Sequence, residues 1–216
     1  MHRFVWPLHY ALPPALTEGR RRRGAGDGVW APPGRYTVVL DVDGVRHTQP
    51  LTVLPDPRLT LHPEDFAKQF ALARRIEDAR AQAATLGHEN DALLKALAER
   101  KKGAKAETVK AMNALQARAS EILGTPPTGG PPSLPALTSL RTVSDTLDKL
   151  AYAVDGADSA PTPDAITGFE KVQPLLATVQ TAWTTLKTKD LAALNARLKK
   201  SGQAAIALEH DDHDAK

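Results

Sequence analysis

Apolar residues alternate with others over residues 3–10. Phe4, Trp6, Leu8 and Tyr10 fall on one face of an extended segment, with Val5, Pro7 and His9 on the other. Proline cannot donate to a ladder, so Pro7 makes this an edge or bulged strand. A loop rich in Pro, Gly and Arg spans 11–34 and ends in the turn signal Ala31-Pro32-Pro33-Gly34. Tyr36 to Val42 alternates again, Asp43-Gly44 supplies a turn, and Val45 to Val53 returns. Asp-Gly suits a type I′ hairpin, because both central residues need positive φ. The register follows. Val42 faces Val45, Leu40 faces His47, Val38 faces Gln49 and Tyr36 faces Leu51, while Asp41 lies across from Arg46 on the other face. His47 then shares a face with Leu40 and reads as a partly buried structural histidine. Three strands make a thin sheet, and its apolar face needs a cover.

After Pro55-Asp56-Pro57 the period becomes helical. Pro63 suits a first helical position, with Glu64 and Asp65 in the favourable first turn. The first stripe is Phe66, Phe70, Ala73, Ile76, Ala79, Ala83, Leu86, Leu93 and Leu97, and Gly87 would bend or weaken it. A second helix carries Val109, Met112, Leu115, Ala119 and Ile122, with Gly124 as its C-cap. After a Pro/Gly-rich connector over 124–135, Leu137, Leu140, Ser144, Leu147, Ala151 and Val154 repeat at a spacing of about 3.5 residues. Asp155 to Pro161 reads as a loop. Thr162 caps and Pro163 opens a fourth helix with Ile166, Phe169, Gln173, Leu176, Val179, Trp183 and Leu186, and Pro174 should kink it. Asp190 caps a last short helix bearing Leu191, Leu194 and Leu198.

These narrow seams, joined by short loops, predict antiparallel neighbours. The expected fold is α+β and mostly α. A small N-terminal antiparallel β unit (hairpin plus edge strand) occupies 1–57. An antiparallel bundle of four to five helices, or long helical hairpins, occupies 58–202. A disordered tail occupies 203–216.

Composition agrees with helices packed through small residues: 42% of residues are hydrophobic but only 5% aromatic. The formal charge is +3, yet without Arg20, Arg21, Arg22 and Arg23 the count is 24 basic against 25 acidic residues. The basic character is therefore local. The absence of cysteine excludes disulfides, thiolate nucleophiles and Cys-ligated metals. No run of about 18 apolar residues predicts a transmembrane helix. Met-His-Arg-Phe-Val-Trp lacks the features of a signal peptide and reads like a strand entered midway, so the chain is expected to begin inside a larger architecture. The compartment is not specified by the chain.

Arg3-Phe4-Val5-Trp6, Pro33 to Val38, Val42-Asp43-Gly44, Gln49 to Val53 and Asp56-Pro57-Arg58 resemble the C-terminal region of bacterial secreted BNR-repeat β-propeller proteins, the sortilin-like and glycosyl-hydrolase-like group. Val154 to Thr162 and Asp190 to Leu198 resemble the helical tail of the same proteins. The matches span about residues 3–202, and their shared order carries the resemblance. It implies an upstream propeller that would hold any ligand or substrate site, and a secreted or periplasmic setting. This chain has no propeller blades and no Asp-box. It departs from the family at Pro7 and in the Arg20–Arg23 loop. It looks like a split or truncated relative that keeps only the accessory part.

Candidate chemistry is sparse. Arg20, Arg21, Arg22 and Arg23 would attract phosphates of nucleic acid or anionic lipid, weakly and with strong salt dependence. No aromatic interleaving supports base stacking, so a solvated loop is the plainer reading and no specific nucleic acid is expected. His210 and His213 are metal-ligand types three residues apart in an acidic tail, without an apolar anchor to give fixed geometry. His88-Glu89 starts like a zinc-protease motif but lacks the second histidine. Glu64/Asp65 and Asp211/Asp212 are adjacent in sequence and so do not face each other as glycosidase catalysis requires. Trp183 and Trp6 read as core residues, Trp6 also as an interaction candidate. Trp30, in the loop, is a candidate contact for a domain or ligand. No catalytic residue and no cofactor is assigned. The expected role is a non-catalytic structural or interaction module that docks on a propeller-type domain, another protein or itself. A hydrolase, by family association, and weak anion binding are the alternatives.

Overall fold

The structure, a computed structural model, describes residues 3–17, 28–124 and 138–208. Leu137, the Arg20–Arg23 loop and the two tail histidines lie outside them. The order is a short helical turn α1 (Pro14–Thr17), strands β1 (Gly34–Val42) and β2 (Val45–Val53), then helices α2 (Pro63–Arg100), α3 (Ala106–Leu123), α4 (Leu140–Asp155) and α5 (Pro163–Thr185). A π-helical segment, Leu186–Leu191, leads into α6 (Ala192–Lys200). The protein is thus mostly helical, with a small antiparallel sheet near its N-terminus. It divides into two compact units, Met1–Asp78 with Lys149–Phe169, and Ala79–Asp148 with Glu170–Lys216. The division expected at residue 57 falls inside the first unit.

In the first unit β1 and β2 pair in the expected register, from Val42↔Val45 down to Gly34↔Val53. Asp43 and Gly44 both have positive φ, 52° and 81°, as the type I′ turn demands. The expected edge strand over 3–10 does not join this sheet, which has two strands among the described residues. Leu8 adopts φ 64°, which breaks the extended run, and Pro7 has no N–H to offer. The segment instead makes one bridge, His9↔Trp30. The Ala31 N–H donates to the Leu8 carbonyl at 2.8 Å and the Tyr10 N–H to the Val29 carbonyl at 3.0 Å. His47 is exposed, because the hairpin face it shares with Leu40 is uncovered.

The interior of the first unit includes Phe66, Ala73, Ile76, Val154, Ala165 and Phe169. Buried Gln69 donates through Nε2 to the carbonyl of Val154 (2.8 Å) in the last turn of α4 and to that of Ala157 (2.7 Å) just beyond it. Thr162 caps α5 by accepting the Ala165 N–H at 3.2 Å. The buried positions of α5 are Ala165, Phe169, Val172, Leu176, Val179 and Trp183, while Ile166 and Gln173 are exposed. The stripe is therefore rotated from the expected one by about one residue at its start. The helix continues through Pro174.

The core of the second unit gathers Leu93, Leu97, Met112, Leu115, Ala119, Trp183, Leu186, Leu191, Leu194, Leu198 and Ile206. Along the last helices the buried residues step by four, three, five, three and four positions, from Val179 through Trp183, Leu186, Leu191 and Leu194 to Leu198. The step of five coincides with the π-helical segment. A π turn accommodates an extra residue, so Leu191 returns to the face that Leu186 occupies. Asp190 does not cap a new helix as expected. Thr185 and Leu191 keep right-handed helical angles, so the chain never leaves the helix. Asp190 pairs instead with Arg118 at 2.7 Å. Gly124 closes α3 with φ 80°, its N–H donating to the Ser120 carbonyl at 2.9 Å.

Two side chains define this core further. The fully buried Trp183 donates its indole N–H to Glu89, whose carboxylate also takes Lys187 at 2.6 Å. Residues 203–208, expected to fray, are held instead. The Asn195 amide accepts the Ile206 N–H at 2.8 Å and donates to the Ile206 carbonyl at 2.9 Å, and Ile206 is buried. Replacing Trp183 by Phe keeps most of the packing but removes a donor from a largely buried carboxylate. The expected cost is about 1–3 kcal/mol, and Trp183→Ala is expected to cost about 3–5 kcal/mol, both read by urea unfolding. Unchanged stability of Trp183→Phe would deny the indole–carboxylate bond its role. Asn195→Ala should speed amide exchange over 203–208 while leaving α2 protected. Unchanged exchange there would deny the Asn195 bonds their role.

Candidate functional site

A concave surface lies in the first unit. The His9↔Trp30 bridge brings the N-terminal segment against the chain at 28–31. Gly28 is needed at this crossing, since a Cβ there would stand 2.7 Å from the Tyr10 carbonyl oxygen and 3.0 Å from that of Ala11. Buried Glu77 accepts the Val29 N–H at 3.2 Å and is paired with Arg74. The strap 28–31 is thereby tied to α2, and it carries Trp30 outward.

Trp30 is 47% exposed. Its ring lies against the His9 imidazole, centroids 3.7 Å apart and planes 38° apart. His9 Nδ1 lies 2.7 Å from the Gly28 carbonyl oxygen, so that nitrogen carries the proton. The Trp30 backbone N–H donates to Asp155 at 3.4 Å. Around this contact a cleft of about 150 Å³ is lined by Trp30, Pro32, Phe66, Gln69, Phe70, Asp56, Asp155 and Asp158, among others. Partial burial raises the Asp155 carboxyl to about 6. The Trp30 N–H and His9 oppose that shift, while Glu77 and Asp158 reinforce it. At the rim, Arg58 forks onto Asp56 and holds that exposed carboxyl below the usual range. The cleft thus offers an indole, apolar walls and one carboxyl that changes charge near neutral pH.

Of the residues singled out from the sequence, Trp30 lines this cleft. Trp6 does not. It is half-buried, packs edge-on against Tyr36 at 5.3 Å and donates its indole N–H to the His9 carbonyl at 2.8 Å. Arg20, Arg21, Arg22, Arg23, His210 and His213 fall outside the described residues. Among the described residues no group of three or more His, Cys, Asp or Glu side chains could hold a metal ion, and no helix is long and apolar enough to cross a membrane. Glu89 of the incomplete zinc-protease pattern is the acceptor for Trp183 and Lys187.

Asp155, His9 and Gln69 were not foreseen. Asp155 had one signal. It ends α4, where a carboxylate meets the negative end of the helix dipole and needs compensation from elsewhere. His9 and Gln69 had none, because their partners are 19 and 85 or more residues away.

A second exposed surface is the hairpin. Tyr36, Leu51 and Val53 at its base are partly buried. Beyond them Val38 (49%), Leu40 (58%), Val42 (47%) and Val45 (58%) form an uncovered apolar stripe on one face. No family model, curated protein or solved structure matches the chain.

The Asp155 carboxyl gives a pH-dependent prediction. Its folded value lies above the ordinary value of about 4, so the native state holds the proton longer than the unfolded chain. Stability therefore falls as pH rises from about 4 through about 6. Asp155→Asn should raise Tm above pH 7, and its advantage should shrink to nothing near pH 4. A pH-independent offset between the two melting curves would refute this.

Proposed function

We propose that this chain is a non-catalytic interaction module that docks on a protein partner through the hairpin β1–β2. The observation that supports it is the apolar stripe Val38, Leu40, Val42 and Val45, all of it exposed on a sheet that has two strands among the described residues. Side chains of this kind stabilise a fold only when covered, each by about 1.5–3 kcal/mol when fully buried. Here they contribute little to the first unit. A two-stranded hairpin is marginal by itself, and a partner surface is the missing layer. The base of the hairpin is fixed, since Tyr36 donates to the Pro32 carbonyl and packs on Trp6. The stripe is thus presented from a held base.

The resemblance of the sequence to the C-terminal region of BNR-type proteins makes a β-propeller domain the first partner to test, and a secreted or periplasmic setting goes with it. Light scattering on the full chain mixed with a propeller protein encoded beside it should show a co-eluting complex. Leu40→Asp should weaken that complex at least tenfold, the equivalent of about 1.4 kcal/mol, while helix content and Tm stay unchanged because Leu40 is exposed. A complex indifferent to Leu40→Asp would remove the hairpin from the interface. No complex at any concentration would count against docking on a propeller.

A further inference from the structure

The two edges of the hairpin are not equivalent, and the difference identifies one of them as a pairing surface. In a hairpin closed by a two-residue turn, the flanking residues exchange both backbone hydrogen bonds, here Val42 and Val45. Hydrogen-bonded and non-bonded pairs then alternate down the ladder. On β1 the even-numbered residues bond β2, so the N–H and C=O groups of Arg35, Thr37, Val39 and Asp41 point to the outer edge. On β2 the outward residues are Arg46, Thr48, Pro50 and Thr52. Pro50 has no N–H, so the outer edge of β2 is blunted in the way that edge strands are commonly protected. The outer edge of β1 has no proline over nine residues and no backbone partner among the described residues.

We infer that the outer edge of β1 pairs with β1 of a second copy of this chain, antiparallel and centred on Val38. This rests on the reading of the hairpin as a contact surface and names one occupant for its edge. The charge pattern selects the occupant and the register. Antiparallel self-pairing about Val38 sets Arg35 opposite Asp41 of the second copy, twice by symmetry. On the other face it sets Tyr36 opposite Leu40 and Val38 opposite Val38. Centring on Thr37 would set Arg35 against Val39, and centring on Val39 would set Asp41 against Thr37. Only the Val38 register matches both charges within the strands while keeping every outward amide opposite an outward carbonyl. Arg35, Thr37, Val39 and Asp41 are all exposed. Asp41 approaches Arg46 of its own chain at 4.0 Å, with both side chains more than half exposed, a pair weak enough to share. The product is a four-stranded sheet in which two exposed apolar stripes lie side by side.

The chain has no cysteine, so a single introduced thiol reports the register directly. At a non-hydrogen-bonded antiparallel pair the Cα atoms lie about 4.5 Å apart, within disulfide reach of about 4.4–6.8 Å. Val38→Cys in the full chain should therefore give a covalent dimer under mild oxidation. Leu40→Cys should not, because the two positions would be about 14 Å apart along the strands. In sedimentation, the mass of the wild-type chain should rise toward a dimer with concentration. Thr37→Pro, which removes an outward N–H from β1, should keep it monomeric. Thr48→Pro, a comparable change on the already blunted edge, should leave dimerisation intact. Absence of the Val38→Cys crosslink, or equal crosslinking at Leu40→Cys, would overturn the proposal. Propeller binding without that crosslink would overturn the second copy alone. The crosslink without propeller binding would overturn only the propeller as partner.

Discussion

The turn Asp43-Gly44 governs the parity of everything in the hairpin. Two consecutive residues with positive φ close the strands without an extra residue. Side chains alternate with a period of two, so this one geometry decides which residues share a face and which amides point outward. A one-residue slip would send Arg35, Thr37, Val39 and Asp41 to the other face and bring the proline of β2 into the ladder. The apolar stripe, the blunted edge and the open edge are three consequences of a single local conformation.

The helices answer a different constraint, that each apolar seam must stay on one face for its whole length. Where the spacing of leucines departs from the α-helical repeat, the backbone adapts. Between Leu186 and Leu191 the helix widens by one π turn, which keeps both residues buried without ending the helix. Continuity has a second effect. With no new helix start there, Asp190 has no group of unpaired amides to cap and turns to Arg118. The same economy appears at Glu89, where one carboxylate serves both the buried indole of Trp183 and the ammonium of Lys187.

The cleft beside Trp30 comes from distant stretches of chain. The strap 28–31 is tied to α2 through Glu77, to the N-terminal segment through His9, and to the end of α4 through Asp155. Partial burial at the last of these ties is why Asp155 keeps its proton to about pH 6. The cleft and the hairpin share the first unit but differ in kind. One is a small polar and aromatic recess, the other an exposed apolar surface beside a strand edge that has no backbone partner among the described residues.

The elements were legible in the sequence wherever a local rule with a fixed period applied. The hairpin register followed from Asp-Gly and the alternation of valines, the ends of α3 and α5 from Gly124, Thr162 and Pro163, and most of the seams from helical spacing. Tertiary structure decided what local rules leave open. Residues 3–10 alternate like a strand, but Leu8 turned out of the extended region and the segment bonded to 28–31. Ala165 and Val172 displaced Ile166 and Gln173 from the seam, because the partner surface, and not the count of apolar residues, sets which face is buried. Residues 203–208 looked frayed until Asn195 bonded both backbone groups of Ile206. Of the cleft, Trp30 was visible in advance as a contact residue, and Phe66 and Phe70 as members of the first helical seam. His9, Gln69 and Asp155 acquire their roles from partners far away in the chain, and no periodicity of two or of 3.6 residues encodes a contact of that separation.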